Sequence, residues 1–68
     1  MSFNVSNEVK AQLLNQRIEA LNLEGYQNEL SVKSAEAIGN DEVVAQCKAN
    51  IEVIKSAIEV HTAELESL

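Results

Sequence analysis

Residues 43–68 read VVAQCKANIEVIKSAIEVHTAELESL, and the spacing of their apolar members decides the fold. Val44, Cys47, Ile51, Ile54, Ile58, His61, Leu65 and Leu68 follow one another at alternating steps of three and four. Positions spaced this way lie on one side of an α-helix. They form a heptad seam with Val44, Ile51, Ile58 and Leu65 at a, and Cys47, Ile54, His61 and Leu68 at d. A sustained seven-residue repeat predicts a left-handed supercoil against another helix. Glu52, Glu59 and Glu66 recur at b, on the side left to water. Isoleucines at 51, 54 and 58 match a pattern that shifts parallel coils towards three or four strands.

The seam contains the chain's one cysteine and one histidine. Fourteen residues separate them, about 21 Å along a single helix. A zinc ion needs its ligands within roughly 2.0–2.3 Å, and a thiolate–imidazole pair needs hydrogen-bond reach. Within one chain, Cys47 therefore reads as a small buried apolar residue and His61 as a polar interruption of the seam that fixes register. A site could arise only between chains. Antiparallel pairing of two copies centred on Ile54 would bring Cys47 towards His61, and parallel pairing would bring His61 side chains together. Either arrangement would give a metal- or pH-responsive layer. No cofactor and no catalytic residue is expected.

Upstream, Ile38-Gly39-Asn40-Asp41-Glu42 is the clearest punctuation in the chain. Gly39 can take the left-handed conformation that ends a helix. Asn40 or Asp41 can accept from free N–H groups at the next helix start, where Asp41 and Glu42 also suit the helix dipole. The expected architecture is all-α. One helix runs over about 6–38, a turn over 39–40 and a second helix over about 41–67, forming an antiparallel hairpin in a single domain, 1–68. Gly25, in LEGYQNEL, could be a bend, a close-packing spot or a break into a third helix. A continuous helix is expected, because no proline assists a stop and Glu29 and Lys33 sit four apart as a supportive pair.

The first helix carries two apolar stripes. Val9, Leu13, Ala20 and Leu23 lie on one side, continuing through Tyr26, Leu30 and Ala37. Ala11, Leu14, Ile18 and Leu21 lie nearly opposite. Polar strips run between them: Glu8, Gln12, Asn15 and Glu19 on one flank, Lys10 and Arg17 on the other. A helix in a lone hairpin needs one apolar stripe. The second stripe, Ala11/Leu14/Ile18/Leu21, is therefore expected to face another chain, as is a minor stripe of Ala49, Val53 and Val60 on the second helix. Hairpins packed into a coiled-coil-like bundle would cover both.

Composition agrees with this reading. The chain has 68 residues, no proline, two glycines and 3% aromatic residues. That is helix composition, in a chain short enough to need association for stability. One cysteine leaves no intrachain disulfide and fits a reducing compartment. The net charge of −6 lies in residues 24–68, because Glu8 and Glu19 balance Lys10 and Arg17 in the first third. This charge removes the electrostatic footing for direct nucleic-acid binding and for anionic membrane surfaces. No secretory leader or membrane span is read, so an intracellular, cytoplasmic protein is expected, with incorporation into a viral particle left open.

Phosphate loops, His-Glu-x-x-His zinc pairs and nucleophile elbows are absent from the sequence. Asp41-Glu42 reads as capping and dipole groups, and Tyr26 as a bundle tyrosine with its hydroxyl at the rim. The chain is similar in kind to small coiled-coil accessory proteins of viral particles and cellular machines, a likeness of composition and heptads. The expected role is a non-enzymatic, self-associating structural or interaction protein, a component or adaptor of a larger assembly. The alternative is an acidic regulator that blocks a basic surface of an enzyme or a nucleic-acid-binding protein, with Glu36, Asp41 and Glu42 carrying the contact.

Overall fold

The structure, a computed structural model, describes residues 3–68. The first two residues of the expected domain, Met1 and Ser2, lie outside the described residues. Helix α1 spans Asn7–Ala37 and helix α2 spans Asp41–Glu66. They pack side by side as an all-α hairpin measuring 49 × 19 × 16 Å, two helices across with no further layer.

Each end of the turn has a physical cause. Ser6 caps α1 by accepting from the Val9 N–H at 3.2 Å. At the other end, Gly39 adopts φ +72°. Its N–H reaches the Glu36 carbonyl at 3.2 Å, and the Asn40 N–H reaches the Ala35 carbonyl at 2.9 Å. These two bonds satisfy carbonyls that a helix end leaves without partners, in the Schellman arrangement. Asn40 then caps α2, its side chain accepting from the Val43 N–H at 3.2 Å. One residue thus closes the first helix and opens the second, and this shortness makes the helices antiparallel neighbours.

Helix α1 is continuous through Gly25. The expected Glu29–Lys33 ion pair does not form. Among the described residues the ion pair present is Lys55–Glu52, at 3.5 Å and well exposed, where such a pair contributes little. Continuity comes instead from packing. Gly25 faces α2, and a Cβ built on it would lie 3.6 Å from Ile54 Cγ2. Of the three alternatives for this glycine, the close-packing spot is the one realised.

The two glycines therefore respond oppositely to alanine. Gly25→Ala adds helix propensity at a site with room for the methyl group. It should raise stability by about 1 kcal/mol, a shift of ~4–8 °C in a thermal melt followed by circular dichroism. Gly39→Ala meets no atom within 4 Å but must adopt positive φ, and should lower stability by ~1 kcal/mol.

Candidate interaction surface

The face of α1 that meets α2 is read from burial. Ala11, Leu14, Ile18, Leu21, Gly25, Asn28, Val32 and Ala35 are shielded along the helix at steps of three and four, with Lys10 partly shielded beside Ala11. Opposite them, Val44, Cys47, Ile51, Ile54, Ile58, His61 and Leu65 are the shielded members of the α2 seam, while Leu68 is exposed. Ala35, Cys47 and Ile54 are the residues under 9% exposed. Leu21 and Gly25 share a hollow with Ile51, Ile54 and Ile58, and Leu21 shares another with Ala57 and His61.

This arrangement corrects the expectation for the stripe Ala11/Leu14/Ile18/Leu21. It does not look outward; it packs on α2 within one chain. The stripe expected to face α2 is the one left in water: Val9, Leu13, Leu23, Tyr26 and Leu30 are each 44–60% exposed. The reason is register. The Ala11/Leu14/Ile18/Leu21 stripe continues at steps of three and four through Gly25, Asn28, Val32 and Ala35, and Gly25 and Asn28 carry no apolar signal. The minor stripe on α2 is exposed as expected, with Val53 and Val60 at 69% and 67%.

Asn28 and Asn50 make a cross-helix contact that no apolar pattern in the sequence marks. Asn50 Nδ2 donates to Asn28 Oδ1 across the helices at 3.2 Å. Asn28 Nδ2 donates to the Glu24 carbonyl at 2.9 Å, and Asn50 Oδ1 accepts from Gln46 Nε2 at 3.4 Å. A half-buried amide pair with its partners met disfavours any slipped alignment, which would strand these groups against apolar neighbours. Extending Ala11, Leu14, Ile18 and Leu21 by further steps of four and three reaches Asn28 directly; that continuation was the available signal.

Cys47 and His61 are two members of the seam, as the spacing requires, and sit in different layers. Cys47 is a buried free thiol. His61 is half-buried, with Nδ1 2.6 Å from the Ala57 carbonyl, a contact in which the ring nitrogen donates. With the α2 seam closed against α1, two copies cannot meet seam to seam while the hairpin stays shut. The route to a Cys47–His61 or His61–His61 layer would require the hairpin to open. No cluster of three metal-ligating side chains occurs among the described residues, and no described helix is long and apolar enough to cross a membrane. Compared with protein-family models, with curated proteins and with solved structures, the chain matches none.

Two seam substitutions should separate packing from ligation. Ile54→Ala removes the large buried side chain that lies against Gly25 and should cost about 2–4 kcal/mol, enough to leave a hairpin of this size largely unfolded at room temperature by circular dichroism. His61→Leu replaces a polar seam member by an apolar one and should raise the melting temperature. A lower melting temperature for His61→Leu would show that the imidazole contributes more than it costs.

Proposed function

We propose that this chain is a non-enzymatic structural or interaction protein whose hairpins associate with one another, as a component or adaptor of a larger assembly. The observation that carries this reading is the outer stripe of α1, whose Val9, Leu13, Leu23, Tyr26 and Leu30 are exposed on the side away from α2. Large apolar side chains clustered along one exposed helix face mark contact surfaces.

A second feature supports it. The seam buries little: among the described residues no side chain is under 2% exposed, and the core proper is Ala35, Cys47 and Ile54. A single hairpin with so small a core is marginal on its own. Covering Val9, Leu13, Leu23 and Leu30 would add the apolar burial the chain lacks, at about 25 cal/mol for each Å² removed from water. Stability and association are then linked, because a partner that binds only the folded hairpin shifts the folding equilibrium towards it.

Purified protein should therefore show a mass above that of one chain by light scattering, with a melting temperature that rises with concentration. A single-chain mass at every concentration, with a concentration-independent melt, would overturn self-association.

A further inference from the structure

The outer stripe of α1 has a charge pattern that selects its own partner, and the inference drawn from it rests on the self-association proposed above. Written as a heptad of its own, the stripe has Leu13, Ala20 and Gln27 at a, with Val9, Gln16, Leu23 and Leu30 at d. Lys10, Arg17 and Glu24 then occupy the e flank, and Gln12, Glu19, Tyr26 and Lys33 the g flank. Arg17 and Glu24 are both exposed, and neither takes part in an ion pair among the described residues.

In an antiparallel pair of helices, e flanks face e flanks. The hairpin itself obeys this rule: in the numbering of its own seam, Glu29 and Lys48 are both e residues, and they line the same hollow. Applied to two copies of α1, the rule makes the alignments distinguishable. In one register Leu13 meets Leu30 of the second copy, Ala20 meets Leu23, and Gln16 meets Gln27. Arg17 then faces Glu24 twice, once on each side of the two-fold axis. Sliding by one heptad in one direction sets Arg17 against Arg17 and Glu19 against Glu19, beside two Lys10–Glu24 pairs. Sliding the other way sets Glu24 against Glu24, beside two Glu19–Lys33 pairs. A parallel, in-register pair sets Glu19 against Glu24 twice. Like charges held together at a flank are unfavourable, so the alternatives each carry a repulsion that the first register lacks.

We infer that a second copy of this chain docks antiparallel on the outer stripe of α1, in the register that pairs Arg17 with Glu24. The assembled unit is a layer of four helices, α2–α1–α1–α2, with each α1 between its own α2 and the partner's α1. The contact runs from Val9 to Ser34, about 38 Å at 1.5 Å per residue and about 10 Å wide, on the order of 400 Å² per chain. That is near half of the roughly 800 Å² per partner of a standard stable interface, so the dimer is expected to dissociate on dilution.

The test is a charge-swap mixing experiment by analytical ultracentrifugation, with circular dichroism confirming that each variant is folded. Arg17→Glu presents two acidic groups to its twin and Glu24→Arg presents two basic ones, so each alone should dimerise about tenfold more weakly than the unaltered chain. Mixed in equal amounts, the two should form a heterodimer, because every facing pair is again opposite in charge. Single variants that dimerise as well as the original chain, or a mixture that fails to pair, would overturn this register while leaving self-association intact. An unaltered chain that is monomeric at all concentrations would overturn self-association and the register together.

Discussion

The structure depends on one contact: the side chain of Ile54 laid against α1 beside Gly25. A Cβ built at position 25 would be 3.6 Å from Ile54 Cγ2, an ordinary van der Waals distance, so Ile54 meets the glycine face of α1 and leaves room there for one methyl group. Among the described residues Ile54 is one of the three most shielded. Dispersion contacts are individually small and depend steeply on separation, and Leu21, Ile51 and Ile58 line the same hollow as Gly25 and Ile54. The glycine weakens the helix locally, and the space beside it is why alanine is the stabilising replacement.

Register is held by a different kind of interaction. Apolar layers tolerate a shift of one heptad, because leucine packs on isoleucine about as well in either alignment. The Asn28–Asn50 amide pair does not, since a slip would leave each amide beside carbon with its hydrogen bonds unmet. The turn supplies a third constraint. The Gly39 and Asn40 bonds to the Glu36 and Ala35 carbonyls leave only a few residues between the helices, so the alignment at the closed end is nearly fixed before the seam forms. The amide pair and the turn agree on one alignment, and agreement between local and long-range preferences is what gives a short chain a single fold.

The same geometry decides which surface remains for other molecules. Closing the α2 seam on Ala11, Leu14, Ile18 and Leu21 buries Cys47, leaves His61 half-buried and turns Val9, Leu13, Leu23 and Leu30 outward. The acidic residues of the turn and of α2 remain solvated around the rim. An apolar strip with Arg17 and Glu24 one heptad apart on the same edge is self-complementary under a two-fold axis, which is why a second copy is the partner its chemistry fits.

The sequence by itself determined the elements. The heptads of residues 44–68, the Gly39-Asn40 punctuation and the absence of proline placed both helices and the turn within a residue or two of where they lie, because these signals act within one or two turns of backbone. It also set Cys47 and His61 in separate layers, since helix rise alone keeps them apart. Which stripe of α1 faces inward was left to the tertiary structure. Both stripes are apolar, and the outer one has the longer run of large side chains. The inner one carries Asn28, whose hydrogen bond to Asn50 is made only when this face meets α2. That bond is not a property of Asn28 alone; it exists only once the second helix lies across from it.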